Sequence, residues 1–260
     1  MDPLTLACEL GLLIWAAVVL RKHGWRTDRP GLVWTMTAGA LVTNVLLYAV
    51  LLPMIKAETA SQEIGPAALY GFLVFRTVEW ALMVNVFTRL ALVLVRQHDL
   101  PGGFAHLRPG WRLSRTVLLG VGVGIAASAI GYALAQIWLA LGIFERPIWV
   151  ELLEAGATWQ AGVLGGIRNL FAEETVTRLG VQTLLLYHLR RFRWAPWVAI
   201  VASSLFFEIW HSGGTDFYFI NFAVSLLFAW SYARDGYEAA AIGHCVADWL
   251  GLALPLWLFA

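Results

Sequence analysis

The chain has 260 residues, 60% of them hydrophobic and only 13% charged, with a net charge of +1 and a mean hydropathy of +0.70. Soluble domains carry about 25% charged residues, so this composition excludes an ordinary soluble protein. The near-neutral balance, with no basic patch interleaved with aromatics, argues against a nucleic-acid partner, and Cys8 and Cys245, in separate apolar segments, argue against a disulfide framework or zinc knuckle.

About 20 helical residues cross about 30 Å of hydrocarbon. In chain order, apolar helices are expected at 3–20, 31–54, 66–95, 116–143, 155–189, 195–211, 216–232 and 238–258. The expected architecture is therefore all-α: a polytopic transmembrane helix bundle of about eight spans in a lipid bilayer. The first helix does not read as a cleaved signal peptide, because it opens with Asp2 and its basic residues, Arg21 and Lys22, follow the apolar run. In the third, Arg76 and Glu79 are three apart and read as a buried pair that cancels its own charge. Asn85 and Arg89, and later Asn221, read as helix-to-helix hydrogen bonders. The segment 97–115, with Pro101-Gly102-Gly103 and several arginines, reads as a linker. It divides a three-span region, 1–115, to which no function is assigned, from a five-span block, 116–260. Gly120, Gly124 and Ser128 then place a small residue every four positions, which suits close helix packing.

Twelve basic residues fall in the connections after the first, third, fifth and seventh spans; only Lys56 and Arg146 fall in the opposite ones. This bias places those four connections in the cytoplasm and both termini outside.

Three patterns in the C-terminal block put ionisable groups where lipid-facing chain should carry none: Glu173-Glu174-x-x-x-Arg178, Phe207-x-x-x-His211 and His244-x-x-x-Asp248. Each such group costs roughly 2.5–3.5 kcal/mol on insertion scales, and by default marks a functional site. Glu174 and Arg178 share a helix face and can pair, while Glu173, about 100° round the helix, stays free of that arginine. Asp248 can hold one nitrogen of the His244 ring, and Phe207 can brace His211. Taken singly, each pair reads equally well as a structural ion pair or an interhelical clasp. Jointly they supply a base, two imidazoles and an orienting acid, the equipment of a hydrolase that activates water against a carbonyl carbon. Trp210 and Trp249 are placed to line a substrate groove.

These three motifs, in this order on successive apolar helices, resemble the CPBP family, which includes the type II CAAX prenyl endopeptidases, the bacteriocin-processing and immunity-related proteins and abortive-infection-like domains. The basic turn Arg190-Arg191-Phe192-Arg193 and Arg234-Asp235-Gly236 fit as well, and the resemblance spans 116–260. It implies an intramembrane endopeptidase of a bacterial or archaeal cell membrane, acting on a membrane-anchored or lipidated peptide or protein. Glu173 would activate water with His211, His244 and Asp248 would face the oxyanion, and Arg178 would hold Glu174. The family often has Asn where Asp248 stands, which favours Asp248 as the orienter of a protonated His244. Thr177 and Leu179 replace the family's usual aromatic and glycine, and Glu208 inside the second motif is unexpected.

No metal is favoured, since a glutamate–histidine pair can activate water unaided and no HExxH spacing appears. Zinc on His211, His244 and Glu173 is the alternative. The competing functions are a silent membrane scaffold or immunity-type protein of the same fold, and a proton-relaying transporter, for which no internal repeat appears. One conflict remains in the helix register. His211 lies near the outer end of its helix and His244 near the cytoplasmic end of its own, so the two meet only if helices tilt or start deeper than expected. The site is expected to open outward.

Overall fold

The computed structural model describes residues 3–61, 64–212 and 219–259. Asp2, and the first three residues of the span expected at 216–232, lie outside them. Helix α1 (Pro3–His23) is followed by α2 (Pro30–Ser61) and α3 (Pro66–His98), then by the linker and α4 (Leu113–Ala140). A short α5 (Ile148–Glu154) leads to α6 (Trp159–Phe171), a π-helical segment (Thr175–Gln182) and α7 (Thr183–Leu189). Then come α8 (Ala195–Ser212), α9 (Ile220–Asp235), α10 (Tyr237–Asp248), a second π-helical segment (Trp249–Ala253) and α11 (Leu254–Phe259). Among the described residues there is no strand, and the all-α bundle is as expected.

Prolines open α2 and α3, where their missing N–H costs nothing. Asp99, in the left-handed region at φ 50°, closes α3 by donating its N–H to the Val95 carbonyl. Helix α2 continues through Pro53 to Ser61, beyond the expected end at 54, as membrane helices tolerate an internal proline.

The expected eight spans are not all reached. Among the described residues, four helices are long and apolar enough to cross a membrane: Pro30–Thr59, Pro66–His98, Leu113–Ala140 and Tyr237–Phe259, with Ala195–His211 a shorter apolar helix. The stretch 155–189 departs most from expectation, because it is interrupted by a turn at Ala172 and then widens into the π segment. Its position explains this. Residues 172–184 are buried on every side, with α3, α8 and α9 packed around the π segment and α10 against α6. A helix enclosed all round needs no apolar stripe, only partners for whatever it carries.

His211 and His244 do meet, both Nε2 atoms lying within 4.0 Å of Glu173 Oε2, and the linker packs under the start of α10. Gly102 and Gly103, at φ 98° and 73°, turn the chain under the bundle, and the Gly103 carbonyl accepts the Tyr237 N–H at 2.7 Å. Glu238 accepts the Ala105 N–H at 2.6 Å and also pairs with His106. Helix α10 therefore starts above a floor made by the linker. Tyr237, its first residue, already reaches Thr175 at 3.0 Å and donates to the Leu170 carbonyl.

The stripe Gly120, Gly124 and Ser128 seats α4 against α10. Ser128 donates to the Ala247 carbonyl at 3.3 Å, and a Cβ on Gly124 would lie 2.6 Å from the Gly243 carbonyl oxygen. We therefore expect Gly124→Ala to cost about 1–3 kcal/mol through overpacking. Gly122→Ala, where a Cβ meets nothing within 4 Å, should be neutral or stabilising. Thermal unfolding of the two variants in detergent tests the difference.

Candidate active site

The π segment begins directly after the two glutamates, and its wider turn suits a helix that must project polar groups to several neighbours. Glu174 and Arg178 pair across one turn, Oε2 to Nε at 3.0 Å, and both are fully buried. Arg178 also donates to Ser203 Oγ on α8 at 3.3 Å and to Ser225 Oγ on α9 at 2.7 Å. The other oxygen of Glu174 accepts from His244 Nδ1 on α10 at 3.0 Å. This is one chain of contacts, Arg178–Glu174–His244, sealed from solvent.

A second chain runs beside it. Glu173 Oε1 accepts from Arg168 Nη1 on α6 at 2.6 Å, and Oε2 faces His211 Nε2 on α8 at 3.2 Å. His211 donates its Nδ1–H to the Phe207 carbonyl at 2.9 Å, which fixes the ring and turns Nε2 toward Glu173. Phe207 packs on the same ring with centroids 4.0 Å apart. Arg168–Glu173–His211 is the open counterpart of the sealed chain: the His211 side chain is 30% exposed against 6% for His244.

The two chains meet at Glu173 Oε2, which lies 4.0 Å from His244 Nε2. Asp248 Oδ2 is 3.6 Å from that same nitrogen and accepts from Asn169 Nδ2 at 2.9 Å. Glu173, Glu174, Arg178, Phe207, His211, His244 and Asp248 are thus brought into one cluster.

One expectation is corrected and two are extended. Glu174, not Asp248, makes the hydrogen bond that orients His244, because 3.6 Å is too long for one and the Glu174 contact takes Nδ1. Glu173 stays free of Arg178 as expected, and Arg168 holds it instead. The Arg76–Glu79 pair in α3 forms as expected, at 2.6 Å, and Arg76 also binds the fully buried Glu9 at 2.8 Å.

Arg168 and Asn169 escaped the sequence reading. An arginine five residues before a glutamate matches no α-helical pairing, and the turn at Ala172 between them makes that spacing productive. The unexpected Glu208 has a structural task. Buried on α8, it accepts the Phe222 N–H at 2.6 Å and satisfies one open donor at the start of α9. Trp249 donates to the Val163 carbonyl at 3.1 Å, and Trp210 to Glu9 at 3.2 Å.

His211, His244 and Glu173 supply the donor types that a zinc ion would use, with both Nε2 atoms turned toward Glu173 Oε2. The Arg168 guanidinium already neutralises the carboxylate such a site would use.

Removing one partner of a buried ion pair costs about 3–5 kcal/mol by stranding the other charge. Arg178→Met should show this loss in chemical or thermal unfolding. Glu208→Ala should lose only about 0.5–2 kcal/mol, the worth of a helix cap.

Residues 155–250 match the family model described as type II CAAX prenyl endopeptidase Rce1-like. That stretch contains every motif residue from Glu173 to Asp248, and Arg168 and Asn169 as well. No curated protein and no solved structure matches the chain. Residues 155–250 of this integral membrane protein, where the three motifs close on one buried cluster inside an apolar helical bundle, are thus similar to the Rce1-like type II CAAX prenyl endopeptidases, a likeness confined to that stretch.

Proposed function

We propose that the protein is an intramembrane endopeptidase of the glutamate type that hydrolyses a peptide bond in a membrane-anchored or lipidated protein. The observation that carries this reading is the setting of Glu173: Oε1 is held by Arg168, and Oε2 is left between the Nε2 atoms of His211 and His244, at 3.2 and 4.0 Å.

A water bound beside both Glu173 Oε2 and His211 Nε2 gives its proton to Glu173 as its oxygen attacks the scissile carbonyl carbon. The carbonyl electron pair moves onto oxygen. His244, its Nδ1–H committed to Glu174, directs Nε2–H at that oxyanion. Asp248, held by Asn169, lies beside the same nitrogen as a counter-charge. When the tetrahedral intermediate collapses, the C–N bond breaks and the proton on Glu173 passes to the leaving nitrogen, which restores the carboxylate. Arg178 takes no part beyond keeping Glu174 in place.

Access is proposed from the non-cytoplasmic side, with both termini outside. This rests on the basic connections and on the place of His211 at the end of α8 remote from them. The substrate is expected to carry a membrane tail, since the family name refers to prenylated CAAX proteins.

Cleavage of membrane-tethered peptides by purified protein in liposomes tests the proposal. Glu173→Gln and His211→Ala should each lower kcat by about 10²- to 10⁴-fold, the usual worth of a general base, while the wild type keeps its activity in a chelator. Activity that dies with chelator and returns with zinc would move the same three residues into a metal site. Full activity in Glu173→Gln would end the proposal.

A further inference from the structure

The three N-terminal helices carry no motif, yet each sends one buried side chain to the wall behind Glu173 and His211. From α2, Asn44 Oδ1 accepts from Arg168 Nε at 3.1 Å. Asn44 is fully buried, and its own amide nitrogen is tied to the Ala40 carbonyl at 2.8 Å, which aims its oxygen at the arginine. From α3, the buried Trp80 ring lies under the guanidinium, 4.4 Å from its carbon. From α1, Glu9 accepts the indole N–H of Trp210, which neighbours His211 and packs on Trp80 with centroids 5.4 Å apart.

We infer that residues 1–115 serve the reaction by holding Arg168, and that Arg168, so held by Asn44 and Trp80, is the positioning residue that grips one oxygen of Glu173 and turns the other toward His211 and His244. The inference rests on the proposed role of Glu173 for its link to catalysis, though not for the geometry itself. The chemistry of the holders favours it. An amide oxygen and an aromatic face both attract a guanidinium without carrying a charge of their own. The positive charge of Arg168 therefore remains available to Glu173, and its second contact, Nη1 to Asn169 Oδ1 at 2.9 Å, is again to a neutral acceptor that in turn donates to Asp248. Aspartate at position 44 would compete for the arginine; leucine would release it.

The test uses the full chain, in liposomes for cleavage of membrane-tethered peptides and in detergent micelles for thermal unfolding. Arg168→Gln should lower kcat by about tenfold to a hundredfold with KM kept, the range of a lost charge-assisted hydrogen bond, and added guanidinium should restore part of the loss in Arg168→Ala. Asn44→Leu and Trp80→Leu should fall between Arg168→Gln and the wild type. In unfolding, combining Asn44→Leu with Arg168→Gln should cost less than the two single losses summed, because both remove the same contact. An unchanged kcat in Arg168→Gln overturns the proposal. A loss in Arg168→Gln alone, with none in Asn44→Leu or Trp80→Leu, overturns the part given to the N-terminal helices, and full additivity of the pair in unfolding overturns it too. A Glu173→Gln variant that still cleaves ends the proposed function instead, and the unfolding cycle then still reads whether Asn44 holds Arg168.

Discussion

The Arg178–Glu174–His244 chain is the contact on which the rest of the structure depends. Each member is buried in an apolar bundle, where a lone charge is expensive and a paired one is tolerated only if its remaining hydrogen-bonding capacity is also met. Arg178 meets its own through Ser203 and Ser225, and Glu174 through the imidazole of His244. Four elements, the π segment, α8, α9 and α10, are therefore pinned by one set of polar contacts. The pairing is directional, so it sets the register of these elements more sharply than apolar packing would. Gln182, which donates to the Ala229 carbonyl, and Thr183, which meets Tyr232, extend the same arrangement along the central helix.

With that frame in place, the neighbouring Arg168–Glu173–His211 chain need not carry the fold. It repeats the same three residue types, but its histidine is partly open. Adjacent glutamates on one helix are thus placed differently, Glu174 sealed against His244 and Glu173 beside the partly open His211. The linker holds the start of α10 through Gly103 and Ala105, and His244, two turns along that helix, comes within 4.0 Å of Glu173.

Much of this was legible in the chain. The apolar runs indicate a membrane bundle because the hydrocarbon thickness leaves helices little alternative. The Glu174–Arg178 pairing follows from i,i+4 spacing, as does the approach of Phe207 to His211. The same rule misled at His244 and Asp248: spacing places them on one face but says nothing of a nearer carboxylate arriving from another helix. At Arg76 it found Glu79 but not the second partner, Glu9, which lies 67 positions away. Reading 155–189 as one regular span overlooked that a helix at the centre of a bundle is solvated by protein and can spend its hydrogen bonds on a turn and a π segment.

By itself, the sequence determined the fold class, the three motifs and the residue types at the site, since these depend on composition, on length and on local helical periodicity. Tertiary structure alone decided which carboxylate takes which imidazole, how Arg168 reaches Glu173 across an irregular turn, and why helices outside the family match press Asn44 and Trp80 against that arginine. Those outcomes depend on distances between residues far apart in the chain. Local spacing carries no information about them until the helices have packed.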